Sequence, residues 1–249
     1  MRFIKDDNTE NTGWPPRRGR RRQTSTGVSI ADKVYGTPMT DREKREWDLS
    51  YAAANQRNRF IDPELAQEGV VDPTLMTEAD PQAAAFIEEE LFPSVGFNPE
   101  GGQDASKYAW SAATVSNLAS AFDPEFQKAS RHSDYIRRGF QGEGNYEADK
   151  ISKKTDFKVG DILFQGRVDK DGNPLGPQTY REFKKDSTGR GDWGGEEGYG
   201  SHSDIIVGYG TDSRGKYYEV QGGNVGDKLS AKRLYANELA KKYAGRLTQ

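Results

Sequence analysis

The chain has only two histidines and no cysteine, which limits the side chains that could carry out nucleophilic chemistry. Without a thiol, an acyl-transfer nucleophile has to be a hydroxyl, and a hydroxyl needs a neighbouring base to take its proton. Ser111 lies in the run Tyr-Ala-Trp-Ser-Ala-Ala, and His202 stands just before the apolar run Ile-Ile-Val. Ser111 is therefore the candidate nucleophile and His202 the candidate base.

A predicted helix over about residues 106–122 carries Ser111. Ser111, Val115, Leu118 and Phe122 recur four, three and four positions apart, so they share one stripe of this helix. Its Ala- and Val-rich composition predicts burial, which places Ser111 near the N-terminus of a buried helix. There, unpaired N–H groups and the helix dipole favour a developing negative charge. The alternative interpretation of Ser111 is a small residue that lets helix and sheet approach closely.

His202 follows a glycine-rich stretch and opens a predicted strand, so we expect it at a sheet edge beside a cleft. A base of this kind needs a third group to orient its imidazole. The next predicted strand offers Glu219 and Gln221, and Asn224 follows that strand. His132, which has several arginines near it in sequence, is interpreted as a polar surface or interface residue.

Helices occupy the first part of the chain and strands the second, which is the arrangement of the α+β class. Helical periodicity with capping signals predicts the helices, and apolar runs bounded by turn residues predict the strands. The predicted helices cover 40–58, 81–92, 106–122 and 124–138. The predicted strands lie within 159–166, 203–209, 216–221 and 228–233, and they form a small antiparallel sheet.

Four motifs in this chain resemble those of the CHAP/NlpC papain-like amidases. They are Trp-Ser-Ala-Ala from Trp110, Val-Gly-Asp-Ile-Leu from Val159, Ser-His-Ser-Asp-Ile-Ile-Val from Ser201 and Val-Gln-Gly-Gly-Asn-Val-Gly-Asp-Lys-Leu from Val220. The order of elements agrees over roughly residues 77–235. The chain is most similar to an uncharacterised bacterial and phage branch in which serine replaces the nucleophilic cysteine.

The resemblance implies a papain-like fold and assigns roles position by position. Ser111 takes the place of the nucleophile, His202 that of the base, and Gln221 or Glu219 that of the orienting residue. Asn224 lies in the segment that ends the following strand. The family cleaves amide bonds in peptidoglycan stem peptides, in cross-links or in similar substrates.

The serine leaves two hypotheses open. A papain-like cysteine works because its low pKa allows a preformed thiolate–imidazolium pair. Ser111 cannot be ionised in advance and has to pass its proton to His202 during attack. The domain is therefore either an active serine amidase or a catalytically silent domain kept for binding or structure. A bacterial cell-wall or effector amidase of the same fold is a further alternative.

Composition divides the chain into three segments. Residues 1–36, with their arginine cluster between Arg17 and Arg22, form a basic extended arm. Residues 37–76 form a linker helix and connection, and residues 77–249 form the papain-like domain.

We expect a phage virion protein without a signal peptide that contacts other virion proteins through residues 1–60. The alternative function is a structural adaptor at the head–tail junction or the tail. A net charge of −3 leaves the arm as the only expected contact with nucleic acid.

Several other classes of function lack support in the sequence. No apolar run approaches the roughly 18 residues that span a bilayer. No phosphate-binding glycine loop precedes a helix, and no carboxylates show metal-ligand spacing, so neither cofactor nor metal is expected. The stretch 169–173 is similar to the start of a calcium loop but has glycine one place early, and a hairpin turn is the better interpretation.

Overall fold

The computed structural model describes residues 39–61, 76–98, 104–193, 198–224 and 228–249. The predicted arm, residues 1–36, lies outside them. In the described residues the strands are β1 (Glu147–Lys150), β2 (Ile162–Gly166), β3 (Ser201–Asp212), β4 (Gly215–Gly222), β5 (Ser230–Tyr235) and β6 (Gly245–Thr248). They form one antiparallel sheet in the order β1-β6-β2-β3-β4-β5. The predicted α+β class is confirmed.

The helical segments of the described residues lie before, between and after the strands. They are α1 (Asp41–Asn58), α2 (Pro81–Phe86), α3 (Ser111–Phe122), α4 (His132–Gln141), α5 (Tyr180–Ser187) and α6 (Ala236–Lys242). α2 continues through a π-helical turn (Ile87–Leu91) into Phe92–Ser94. Pro93 therefore lies inside the helical segment and does not end it at Phe92.

α1 begins at a capping box, as its sequence predicts. The Thr40 hydroxyl accepts the backbone N–H of Glu43, and the Glu43 carboxylate accepts the backbone N–H of Thr40. Leu49 is fully buried in the main apolar core, and the Ser50 hydroxyl donates to the carbonyl of Val207 on β3 at 2.8 Å. The helix expected in the linker thus packs on the sheet as part of the same folded unit.

The helix predicted over 124–138 begins later than its sequence suggests. α4 starts at His132, and residues 124–131 are not helical. The Asp123 side chain accepts the N–H of Glu125 at 3.0 Å, and this local bond competes with helical pairing directly after α3. His132 is therefore the first residue of a helix and does not lie within one.

Two strands and two helices were not predicted. β1 and β6 are short and carry few apolar residues, so no alternation marks them. They pair with each other, and β6 also pairs with β2, so ladder hydrogen bonds define these strands. The helices α5 and α6 are short segments between or after strands.

α3 joins two apolar clusters. Val115 and Leu118 are fully buried in the main core against the sheet, whereas Trp110, just before α3, lies in a second cluster formed with α2. The N-terminus of α3 therefore lies where the two clusters meet, and packing on both sides fixes its position.

Candidate active site

Trp110 holds the N-terminus of α3 in place. It is fully buried, stacks on Phe60 with a centroid separation of 5.3 Å, and donates from Nε1 to the Glu78 carboxylate at 2.6 Å. With φ −91° and ψ 0°, Trp110 lies outside the helical region, so α3 begins at Ser111. Ser111 is thus the first helical residue, at the end where backbone N–H groups lack helical partners.

The Ser111 hydroxyl and the His202 imidazole are in contact. Ser111 Oγ lies 3.2 Å from His202 Nδ1, which is close enough for proton transfer. His202 is the second residue of β3, opposite Gln165 of β2. Both side chains are buried, with Ser111 2% and His202 7% exposed. The proximity predicted for this pair is present.

The group next to the other imidazole nitrogen is Asp204, which the sequence analysis did not select. His202 Nε2 lies 3.3 Å from Asp204 Oδ1. Residues two apart in a strand project from the same face, so β3 supplies both groups. Among the described residues Asp204 Oδ1 has no hydrogen bond of ordinary geometry, so its contact with His202 is electrostatic, with the Nε2 side of the ring facing the carboxylate. The signal for this residue was a carboxylate directly before the buried apolar run Ile-Ile-Val of β3.

Cationic and hydroxyl groups surround the second oxygen of Asp204. Lys232 Nζ lies 2.9 Å from Oδ2, Lys242 Nζ lies 3.8 Å from it, and the Tyr243 hydroxyl donates to it. Burial works to raise the pKa of Asp204, but the contacts with His202 and Lys232 outweigh burial and hold this pKa below its usual range. Asp204 is therefore a carboxylate, which only accepts hydrogen bonds.

His132 is also part of the site, and its interpretation as a surface or interface residue is wrong. It is 8% exposed, and its Nε2 lies 2.9 Å from Ser111 Oγ. The two imidazole rings are 5.4 Å apart between centroids, so Ser111 lies between both histidines of the chain. The late start of α4 is what brings His132 to this position.

The surroundings of the two histidines distinguish the base from its neighbour. An imidazolium at His202 would face the Asp204 carboxylate, whereas the other nitrogen of His132 faces the Tyr135 hydroxyl. Burial raises the pKa of Tyr135, so its phenol stays neutral and offers no negative charge. Burial, followed by repulsion from His202 and Arg167, lowers the pKa of His132 well below its ordinary value. His202 is therefore the better general base, although His132 is slightly closer to Ser111.

The residues expected to orient His202 lie elsewhere. Gln221 is opposite Ile205, and its side-chain amide donates to the carbonyl of Ala53 on α1 at 3.2 Å. Asp204 takes the orienting position instead, because it lies on the same strand and the same face as His202. Gln221 therefore connects the sheet to α1.

Glu219 lies on β4 and Asn224 just after it. Glu219 is opposite Gly208, further along β3 than His202, and its carboxylate lies 3.3 Å from Arg233. Asn224 lies just after β4 with a φ of 54°, a conformation that asparagine tolerates better than most residues. No hydrogen bond joins Asn224 to His202 within the described residues.

The remaining motifs have structural roles. Asp169 accepts backbone N–H groups from Asp171 and Asn173, and an isolated bridge closes the stretch, so the predicted hairpin turn is confirmed.

No cluster of three or more potential metal ligands occurs within the described ranges. None of the helices in those ranges is both long and apolar enough to cross a membrane.

A comparison with family models places much of the chain in a family. Residues 93–241 match the family described as "Uncharacterized protein conserved in bacteria (DUF2272)", and the chain belongs to this family. The matched stretch contains Ser111, His132, His202 and Asp204. No curated protein and no solved structure matches the chain.

Proposed function

We propose that this protein is a papain-like hydrolase that cleaves amide bonds of peptidoglycan, with Ser111 as its nucleophile. The observation that carries the proposal is the buried series Ser111, His202 and Asp204, with separations of 3.2 Å and 3.3 Å. A hydroxyl, an imidazole and a carboxylate in this order are the parts of a serine hydrolase triad. The position of Ser111 at the first residue of α3 adds unpaired N–H groups beside the nucleophile.

In the acylation step, Ser111 Oγ attacks the substrate carbonyl carbon while its proton passes to His202 Nδ1. The carbonyl π electrons move to oxygen, and N–H groups in the first turn of α3 are placed to stabilise this oxyanion. Asp204 stabilises the imidazolium of His202. The carbon–nitrogen bond then breaks, the leaving amine takes the proton from His202, and an ester on Ser111 remains.

In the deacylation step, a water molecule attacks the ester carbonyl and gives its proton to His202. The ester bond breaks, Ser111 Oγ recovers the proton, and a carboxylic acid leaves. Lys232 and Tyr243 take no part in proton transfer. They hold Asp204 ionised, so that the carboxylate persists through both steps.

The substrate class rests on the four motifs that resemble the papain-like amidases. We propose that the protein acts from a phage particle and opens peptidoglycan locally during infection. Purified cell wall incubated with the protein should release stem peptides. Ser111→Ala should abolish release, whereas Ser120→Ala, on the same helix, should leave it unchanged. Equal release by the wild type and Ser111→Ala would remove Ser111 as nucleophile.

A second proposal, a non-catalytic virion adaptor, is favoured by the enclosure of Ser111. Ser111 is 2% exposed and its hydroxyl lies between two histidines, so a substrate reaches it only if neighbouring groups move. Under this proposal wild-type protein releases no stem peptides, and deletion of residues 1–36 abolishes incorporation into particles. Normal incorporation of the deleted protein would count against the adaptor.

A further inference from the structure

We propose that His132 is a positioning residue that donates a hydrogen bond to Ser111 and thereby directs the Ser111 proton towards His202. This inference rests on the proposed function, because it assigns a role to a second histidine at the same nucleophile. Its basis is the contact of Ser111 Oγ with two imidazole nitrogens, His202 Nδ1 at 3.2 Å and His132 Nε2 at 2.9 Å.

The direction of each contact follows from Asp204. A carboxylate only accepts, so His202 carries its proton on Nε2 and its Nδ1 is a bare acceptor. Ser111 has one O–H, and that proton therefore points to His202 Nδ1. Because the Ser111 hydrogen is used in this way, His132 can bond to Oγ only as an Nε2–H donor.

Tyr135 is the partner of the other ring nitrogen of His132. It lies one helical turn after His132 on α4, and its hydroxyl contacts His132 Nδ1. With the proton of His132 on Nε2, Nδ1 is bare and accepts the hydrogen bond from the phenol. Because Tyr135 stays protonated, it holds His132 in the tautomer that donates to Ser111.

The donor matters most when the proton leaves Ser111. A serine hydroxyl otherwise rotates freely about its carbon–oxygen bond, and only some orientations face the base. A fixed donor that occupies one lone pair of Oγ favours the productive orientation. It also stabilises the negative charge that develops on Oγ while the proton moves to His202.

A small fluorophosphonate probe tests the inference without a known substrate, because it phosphonylates an activated serine and releases fluoride. We expect labelling of the wild type at Ser111, read by intact and peptide mass spectrometry. His132→Leu, which removes the donor, should label about tenfold more slowly, the effect of losing one hydrogen bond. His132→Gln, whose side-chain amide can donate from a similar position, should label within about threefold of wild type. Thermal unfolding of each variant identifies any that fail to fold.

The tautomers of the histidines distinguish a hydrogen-bonding role of His132 from a space-filling one, because packing alone would not fix which ring nitrogen carries the proton. With only two histidines in the chain, a ¹⁵N-detected imidazole spectrum resolves both rings. We expect both to carry the proton on Nε2, and Tyr135→Phe should give a mixture of tautomers for the ring of residue 132 only. A proton on Nδ1 of His132, or wild-type labelling rates in folded His132→Leu, would overturn the inference. Absence of labelling in the wild type would instead overturn the proposed function, while the tautomer result would still decide the role of His132.

Discussion

Gly222 lies directly against the carboxylate of Asp204. A Cβ atom at position 222 would be 2.0 Å from Asp204 Oδ1, far inside contact distance. The register explains this approach, since Gln221 is opposite Ile205 and the next pair along the strands brings Gly222 beside Asp204. Glycine on β4 therefore leaves the space in which the Asp204 carboxylate reaches His202.

Gly222→Ala should displace the Asp204 carboxylate and reduce the reactivity of Ser111. We expect it to lower the rate of fluorophosphonate labelling to that of Asp204→Asn, a variant that lacks the carboxylate charge. Overpacking should also lower the free energy of unfolding by about 1–3 kcal/mol. Labelling rates and urea unfolding measure the two effects. Wild-type labelling in folded Gly222→Ala would show that the position of Asp204 does not govern the site.

The ionisation of Asp204 should contribute to the acid sensitivity of folding. Its pKa is lower in the folded protein than the value of about 3.9 in an unfolded chain, so the unfolded state binds the proton first. The stabilisation is complete above about pH 5 and is lost as pH falls through about 4 and below. Asp204→Asn lacks this contribution. The difference in unfolding free energy between wild type and Asp204→Asn should shrink from about pH 6 to about pH 3, and a constant difference would contradict the assignment.

The sequence predicted the meeting of Ser111 and His202 because each signal was local. An apolar stripe with Ser111 at its start predicts a buried helix, and an apolar run after His202 predicts a strand. In an α+β domain, such a helix packs on the sheet. The order of elements was therefore enough to predict the proximity of the two side chains.

Asp204 and His132 were missed for different physical reasons. The orienting residue was expected on the next strand, although a residue two positions along β3 shares the face of His202. His132 was misplaced because the expected helix began at Pro124, which put the histidine within a polar helix face. The turn at Asp123 shifts the start of α4, and no periodicity in the sequence marks that shift.

α1 should contribute to the stability of the whole domain. Leu49 is fully buried in the main core, whereas Tyr51 on the same helix is 41% exposed. We expect Leu49→Ala to lower the free energy of unfolding by about 2–5 kcal/mol, the usual cost of truncating a core leucine. Tyr51→Ala, the matched control, should change it by less than about 0.5 kcal/mol. Equal effects in urea unfolding would mean that α1 is not part of the cooperative unit.

Lys242 should be an unusually reactive amine. Burial, followed by its interactions with Lys232, lowers the pKa of Lys242 to about 8, although Asp204 acts in the opposite direction. A neutral amine is the nucleophile, so an acylating reagent at about pH 8 should modify Lys242 before its exposed neighbour Lys241. Asp204→Asn removes the opposing charge and should make Lys242 more reactive still. Peptide mass spectrometry measures both rates, and slower modification of Lys242 in Asp204→Asn would contradict this electrostatic arrangement.

Ser111→Cys should convert the site to the chemistry of a thiolate. The chain has no cysteine, so this variant carries a single thiol whose alkylation can be followed alone. At the first position of α3 and beside His202, we expect the pKa of the thiol to fall below the ordinary value of about 8.5. Alkylation by iodoacetamide as a function of pH should therefore rise at lower pH than in Ser106→Cys, an exposed control. Adding His202→Gln to Ser111→Cys should move the profile back towards the ordinary value, because the imidazolium partner is lost. If the profile stayed unchanged without His202, the imidazole would not be the group that takes the proton from residue 111.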